Sequence, residues 1–482
     1  MRSFATRRSA KFPALAILLL GLTGCALTPL ETTPKPDSPT AWRVEAATAE
    51  QAADLAWWEG FQDPVLTDLV RAALADGLDL RIAAARVEQA AAVLAQSRAG
   101  LLPQVGYGAG LSREEPGRNL SGELPLQSAY QLGINASWEA DVFGRLRRAN
   151  EAARARLLAS EEGRQATLLA LVANVASTYI QLRDLDRRLE IASTTAETQS
   201  KSLRIFNLQH QAGVISLLQL SQAQSQFEQA RAAIPDLERA IAQTENALSV
   251  LLGRHPGPIP RGKSLDGLAP PPIPAGLPSD LLTRRPDLRQ AEHQLRAAQA
   301  DLAAARTRYY PTISLTGALG LLSTAASDLF SGPARMWSFA GAVSGPIFTG
   351  GAVAGQVVQA DAARQELLLR YQQAVSGAFA DVNDALVEVQ KRREQRDARM
   401  RQVEALRSYA RLARHSYEAG NSPYLEVLNA EQTLFGSELQ LAQTQGEALL
   451  AVVRTYAAMG GGWVAEADKL TGTKPVLGTT AP

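Results

Sequence analysis

The chain of 482 residues contains one pattern twice, and this duplication restricts its fold more than any other feature of the sequence. Asp79-Leu80-Arg81 recurs as Asp287-Leu288-Arg289, and Ala212-Gly213 recurs as Ala419-Gly420. We therefore predict two copies of one unit, at residues 78–252 and 286–460. The residues between them, 253–285, are rich in proline and glycine and are predicted to form an extended linker.

Each repeat is predicted to contain a helix, two strands and a long helical hairpin. Apolar residues recur at three- and four-residue spacing along the hairpins, as is typical of packed coiled coils. The segments 145–211 and 352–419 lack proline, and each would be roughly 100 Å long as a helix. Gly213 and Gly420 mark the turns, because glycine adopts the left-handed conformation that ends many helices. The remaining helices are predicted at residues 78–99, 216–252, 286–308 and 423–459.

The strands are predicted from an alternation of large apolar side chains with polar or small ones. This two-faced pattern is typical of a membrane β-barrel, in which lipid and lumen lie on opposite sides. Four strands cannot close such a barrel, and open edges in lipid would leave backbone groups unpaired, so the chain is expected to oligomerise through its strands. A soluble four-stranded sheet packed on helices remains the alternative. The side chains predicted to face lipid are Tyr130, Leu132, Ile134, Trp138, Trp337 and Phe339.

The first 24 residues are predicted to be a signal peptide, with basic residues followed by an apolar run too short to span a bilayer. Cys25 follows Leu22-Thr23-Gly24, and this arrangement resembles the bacterial lipoprotein signal, in which the cysteine carries lipid and anchors the protein. The alternative is a small buried cysteine. Residue 26 is alanine rather than aspartate, which resembles the bacterial lipoproteins that are sent by default to the outer membrane. Residues 25–77 would then be a lipidated segment and equatorial region, and residues 461–482 a C-terminal tail.

Composition argues against several functions. The formal charge is +1, and four basic residues precede Cys25, which leaves −3 for the remainder. A net-negative chain is not typical of nucleic-acid binding. One cysteine and four widely separated histidines do not favour a metal site. We therefore expect no nucleic-acid partner, no metal and no cofactor other than a covalent lipid on Cys25.

One stretch matches a nucleotide-binding motif. Residues 257–264 fit the pattern of a phosphate-binding loop, which normally follows a buried strand and opens a helix. Here the stretch follows a predicted helix end and continues into the linker, and Pro258 and Pro260 lack the amide donors that would hold phosphate. No catalytic motif occurs in a suitable context, so the chain is predicted not to be an enzyme.

Several short motifs, spread over nearly the whole mature chain, resemble those of the TolC-like outer-membrane factor family, in particular its lipoprotein branch represented by OprM and NodT. Each is weak alone, but together they are specific. They include Trp57-Trp58-Glu59-Gly60, Trp138-Glu139-Ala140-Asp141, Arg284-Arg285-Pro286-Asp287 and Gly345-Pro346-Ile347-Phe348.

This resemblance implies a mainly α fold with a membrane β-barrel. A homotrimer would contribute four strands per protomer to a 12-stranded β-barrel continuous with a long periplasmic α-helical barrel. It implies an outer-membrane exit duct of a tripartite efflux pump that passively conducts small molecules such as drugs or solvents. The implied partners are a periplasmic adaptor protein, an inner-membrane efflux transporter and outer-membrane lipid.

The resemblance also implies a periplasmic gate near the hairpin turns, formed by Tyr417, Glu426, Asn429 and Gln219. Tyr417 matches a gate tyrosine, and Glu426 and Asn429 match two aspartates of TolC. Gln219 stands where the family has an aspartate, so a charged latch is not expected. Three copies of Glu426 would form a cation-attracting ring, although a solvated helix residue is the alternative. The hairpin tips expected to dock the adaptor are Gly213, Val214, Gly420, Asn421 and Ser422.

The sequence is also compatible with two other functions. One is a type I protein-secretion exit duct, and the other is a periplasmic coiled-coil structural lipoprotein without a pore. The paired two-faced strands favour a duct, because a spacer built only from coiled coils would not need them.

Overall fold

The computed structural model describes residue 42 and residues 56–114, 127–273, 278–460 and 463–471. The predicted signal peptide and Cys25 lie outside the described residues. The strands are β1 (Gln104–Glu114), β2 (Gln127–Ala140), β3 (Thr312–Ser323) and β4 (Arg335–Ser344). The helices are α1 (Pro64–Asp76), α2 (Leu78–Ala99), α3 (Arg145–Gln211), α4 (Leu217–Leu251), α5 (Leu281–Arg284), α6 (Pro286–Arg306), α7 (Ala352–Glu418), α8 (Tyr424–Met459) and α9 (Trp463–Lys469).

The helices and strands predicted from periodicity are confirmed, with small differences at their ends. Helix α6 ends at Arg306, two residues earlier than predicted, because Thr307–Tyr309 form a 3-10 turn before the strand. Strand β1 extends to Glu114. Among the helices of the described residues, none is both long and apolar enough to cross a membrane.

The chain divides into two compact units, and each draws on both sequence repeats. Among the described residues, the first unit comprises 89–114, 127–159 and 292–370. The second comprises residue 42 and residues 56–88, 160–273, 278–291, 371–460 and 463–471.

The first unit contains a four-stranded antiparallel sheet in the order β1-β2-β3-β4. Strands β2 and β3 come from different repeats, and Gly133 of one lies opposite Gly320 of the other. A Cβ atom on Gly320 would lie 2.4 Å from the carbonyl oxygen of Leu132, so the two backbones approach too closely for any side chain there. The repeats are thus joined into one sheet rather than forming two separate hairpins.

The second unit contains a large helical core with an aromatic cluster. Trp57 stacks on Tyr456 with ring centroids 5.3 Å apart, and Trp58 meets Trp463 edge to face at 5.6 Å. All four side chains are buried. Such ring pairs add to the stabilisation from burial, so this cluster ties the segment before α1 to helices α8 and α9.

The linker is held against this core by Asp63, which is only 1% exposed. Its carboxylate caps α1 by accepting a hydrogen bond from the Val65 amide at 2.9 Å. It also accepts one from the Lys263 amide at 3.0 Å and one from the Tyr179 hydroxyl at 2.8 Å. The Tyr179 oxygen accepts from the Gly262 amide at 3.0 Å. Gly262 and Lys263 belong to residues 257–264, the stretch that fits the phosphate-binding pattern. Their amides therefore donate hydrogen bonds to a phenol and a carboxylate of the protein.

Candidate functional site

One face of the sheet is apolar across all four strands. Tyr107 lies opposite Ile134, Ile134 opposite Leu319, and Leu319 opposite Trp337. Directly opposed residues share a face, so these side chains form a row. Tyr107 is 91% exposed and Trp337 is 79% exposed. The strand register places the predicted residues Tyr130, Leu132, Ile134, Trp138, Trp337 and Phe339 together on this face.

The opposite face is mostly polar or small, and its two large apolar residues within the described strands are Leu322 and Met336. Asn135 lies between Gly106 of β1 and Ala318 of β3, and Ser137 lies opposite Thr316. Glu139 is on the same face and forms a two-pronged ion pair with Arg145, with nitrogen–oxygen distances of 3.1 and 2.7 Å. The two faces therefore differ along most of the sheet, as the alternation predicted.

The two outer strands pair on one side only within the described sheet. Strand β1 pairs with β2 and strand β4 pairs with β3. Unpaired strand edges expose backbone donors and acceptors that readily accept another strand. Both edges therefore offer a surface to which a further strand can be added.

The two helical hairpins turn through the same backbone conformation. Gly213 has φ of 74° and Gly420 has φ of 76°, in the left-handed region. The Val214 amide donates to Gln209 at 2.8 Å, and the Asn421 amide donates to Ser416 at 2.9 Å. Together with the bonds from the glycine amides, these are the paired C-terminal hydrogen bonds of a Schellman motif. The glycines, Val214 and Asn421 are exposed, and Ser422 is half-buried.

The ends of the two hairpins pack on each other through a small hydrophobic cluster. The rings of Phe206 and Tyr424 lie 4.1 Å apart, and those of Tyr417 and Tyr424 lie 5.0 Å apart. Burial, and then the nearby Glu431 carboxylate, raise the pKa of Tyr424. Glu431 is itself paired with Arg414. The contact of Phe206 with Tyr424 therefore joins the hairpin ends of the two repeats, whereas the ion pair and the contact of Tyr417 with Tyr424 lie within the second hairpin.

The predicted gate residues take different positions in this structure. Tyr417 is half-buried in the cluster just described. Glu426 and Asn429 are exposed, and their spacing of three residues places them on one face of α8. Gln219 lies at the other hairpin, where its side-chain oxygen accepts a hydrogen bond from the Ser216 backbone amide at 2.9 Å. In return, the backbone amide of Gln219 donates to the Ser216 hydroxyl at 3.3 Å. Gln219 thus completes a capping box at the start of α4.

Sequence reasoning missed two features of the hairpin ends. One is the contact of Phe206 with Tyr424, which involves residues far apart in sequence and has no local signal. The other is a group of exposed apolar side chains beside the first turn. Besides Val214, which was already expected at the tip, the group contains Ile205, Leu208, Leu217 and Leu218, each at least 53% exposed, and helical spacing could have revealed these four.

We expect Gln219→Ala to weaken the start of α4, because the capping box loses one of its two bonds. A cap is worth about 1 kcal/mol, so the amides of the first turn should exchange hydrogen roughly fivefold faster, as measured by mass spectrometry. Gln219→Glu is the matched control, since glutamate completes the same box. Equal exchange of the first-turn amides in the Gln219→Ala variant and the parent would contradict this stabilising role.

The fold, the two-faced sheet and the paired hairpins define the class of protein. The sequence model described as "Outer membrane efflux protein" matches residues 69–254 and 277–461. The chain therefore belongs to the outer membrane efflux protein family, whose members are transport conduits.

Individual relatives are similar over almost their whole length. The probable efflux pump outer membrane protein TtgC of Pseudomonas putida is 35% identical over 461 residues, which cover 93% of this chain and 95% of TtgC. The cation efflux system protein CusC of Escherichia coli is 34% identical, with 92% and 97% covered. The open state of the MtrE outer membrane channel of Neisseria gonorrhoeae matches with a TM-score of 0.83 and 32% identity, covering 90% of this chain and 98% of MtrE.

Proposed function

We propose that three copies of this chain form the outer-membrane exit duct of a tripartite efflux pump, through which small molecules pass passively. The observation that carries the proposal is the four-stranded sheet with one apolar face and two unpaired edges. Joining β4 of one copy to β1 of the next would pair every edge, and three copies would close a 12-stranded barrel. In lipid this closure is required, because no water is present to satisfy an open edge.

The apolar face would contact lipid and the polar face would line the lumen. Tyr107, Trp138 and Trp337 would supply aromatic side chains of the kind that collect where a barrel meets the membrane surface. Lipidation of Cys25 would add a second attachment to the outer membrane. The barrel assembly and the lipid anchor are both part of this proposal.

The hairpin ends would dock a periplasmic adaptor protein and, through it, an inner-membrane efflux transporter. Exposed apolar side chains beside Gly213, including Val214, Leu217 and Leu218, support this role. Exposed apolar groups clustered at one site mark protein-binding surfaces. Gly213, Val214, Gly420, Asn421 and Ser422 are proposed as the tip of this surface.

The same ends would form the periplasmic gate. Tyr417 is packed on Tyr424 and would fix the closed arrangement of the hairpin turns. Glu426 and Asn429 share an exposed face of α8, and Glu426 forms no ion pair among the described residues. Three such carboxylates around one axis would attract cations. Gln219 would act at the gate only by stabilising the first turn of α4.

We expect Glu426→Ala to lower the ratio of cation to anion permeability by at least about twofold, because the substitution removes three carboxylates from a narrow passage. The measurement is the reversal potential across a planar bilayer under a salt gradient. Glu238→Ala is the control, since Glu238 is exposed on α4 and lies about 30 Å along the helix from the turn. Equal selectivity of the Glu426→Ala variant and the parent would refute the acidic ring.

The substrate class is proposed from the family alone. The names of relatives refer to efflux of toluene, solvents, antibiotics and cations. We infer small-molecule efflux for this chain, without catalysis and without a cofactor. The test pairs the mass of the detergent-purified assembly with its single-channel conductance. A conducting trimer is expected, whereas a monomer without conductance would contradict the duct and favour a structural lipoprotein.

A further inference from the structure

The apolar face of the sheet carries charge at one end only. Following the strand register, the residues on this face have odd numbers in β1, β3 and β4 and even numbers in β2. Among them, within the four described strands, the only charged side chains are Arg113 and Arg335. Arg113 lies two residues beyond Leu111, and Arg335 lies two residues before Trp337.

Both arginines stand at the same end of the strands, the end that leads into the β1–β2 and β3–β4 loops. Arg113 lies opposite Ser128, and Arg335, the first residue of β4, lies opposite Leu321. At the other end of the apolar face, the outermost residues are Val105, Ala140, Ile313 and Val343, and none is charged.

Neither arginine is neutralised by the residues that the structure describes. Both are exposed, and neither forms an ion pair or a side-chain hydrogen bond among the described residues. No acidic residue occurs on this face of the four strands. Two unpaired guanidinium groups therefore border an exposed apolar surface that includes Leu111 and Trp337.

We propose that Arg113 and Arg335 form a binding site for the phosphate groups of anionic lipids in the leaflet on the loop side of the membrane. The inference rests on the proposed function, because it requires the apolar face to lie in lipid. Arginine suits this role because its planar guanidinium binds phosphate through two parallel hydrogen bonds. The neighbouring apolar side chains would contact the acyl chains of the same lipid.

The position along the strand fits the depth of a headgroup. Alternate residues of one face are about 7 Å apart along a strand. Each arginine is therefore one such step beyond an apolar side chain that would lie at the edge of the hydrocarbon. A charge in the middle of this face would be costly, whereas one at its end reaches the phosphate layer without entering the apolar band.

The experiment measures lipid binding to the assembled, detergent-purified protein by native mass spectrometry. The probes are lipid A with two phosphates and the same lipid after enzymatic removal of both phosphates. We expect the phosphorylated lipid to bind more tightly. Each arginine near an anionic surface contributes roughly a fivefold gain in affinity, so R113Q/R335Q should bind phosphorylated lipid A about 30-fold more weakly than the parent.

Two variants serve as controls. R113K/R335K keeps both charges and should retain most of the binding, and R393Q removes an exposed arginine of α7 and should bind like the parent. Equal binding of phosphorylated lipid by R113Q/R335Q and the parent would overturn the inference. Conductance is measured on the same samples. A conducting assembly without phosphate preference contradicts only this inference, whereas failure of the parent to form a conducting assembly contradicts the proposed function.

Discussion

Ile134→Arg should nearly abolish assembly of the protein in the outer membrane. Ile134 lies in the middle of the apolar face, between Tyr107 and Leu319 on the neighbouring strands. An arginine at the midplane of the lipid-facing surface costs about 2–4 kcal/mol, and a trimer would carry this cost three times. We expect the amount of oligomer in outer-membrane fractions to fall at least tenfold, as measured by gel electrophoresis without heating.

The adjacent residue provides a matched control. Asn135 lies on the polar face and is flanked by Gly106 and Ala318, which leave room for a longer side chain. Asn135→Arg adds the same group one residue further along the strand, and we expect its oligomer to remain within about twofold of the parent because the charge would lie in water. Similar losses for both variants would be inconsistent with the proposed lipid-facing side.

Asp63→Ala should produce the largest loss of stability in the helical unit. The substitution removes the acceptor for the Val65 amide, the Lys263 amide and the Tyr179 hydroxyl. Bonds to a charged group contribute about 1.5–3 kcal/mol each, and the buried donors would be left unsatisfied. We expect the free energy of unfolding to fall by roughly 4 kcal/mol, measured by urea denaturation with tryptophan fluorescence.

The hydroxyl of Tyr179 stays protonated and donates its hydrogen bond between pH 6 and pH 9. Burial, and next the hydrogen bond to Asp63, raise the pKa of Tyr179. The loss in Asp63→Ala should therefore not depend on ionisation of Tyr179 between pH 6 and pH 9. The linker should also become more sensitive to protease, because Asp63 holds it through Lys263.

Two further variants separate this site from a general effect of charge removal. Asp68→Ala removes an exposed carboxylate of the same helix and should change the unfolding free energy by less than about 0.5 kcal/mol. Asp63→Asn keeps one acceptor and should lose less than the alanine variant. If Asp63→Ala and Asp68→Ala were equally stable, the proposed clamp on the linker would be wrong.

Some of the site could be read from the sequence because it depends on local patterns. The apolar side of β2 follows from the alternation of Tyr130, Leu132 and Ile134 with polar neighbours. The position of Gly213 follows from its place between two helical segments. The capping box of Ser216 and Gln219 also has a local signature, although the resemblance suggested a gate role for Gln219 instead.

Other parts required contacts between distant residues. The stretch at residues 257–264 resembles a nucleotide loop in isolation, and its contacts with distant residues, among them Asp63 and Tyr179, identify its place in the fold. The register that brings Arg113 and Arg335 to the same end of one face combines pairings from both repeats. Neither arginine is distinctive in the sequence alone.

Periodicity, proline and glycine were sufficient to predict the helices, strands and turns, since these features act over a few residues. Packing determined which of those elements meet. Gly133 against Gly320 and Phe206 against Tyr424 each join residues of different repeats, and a duplicated sequence allows several pairings of nearly equal local pattern. Steric fit and burial distinguish these pairings, because both depend on side chains that come together only when the chain is folded.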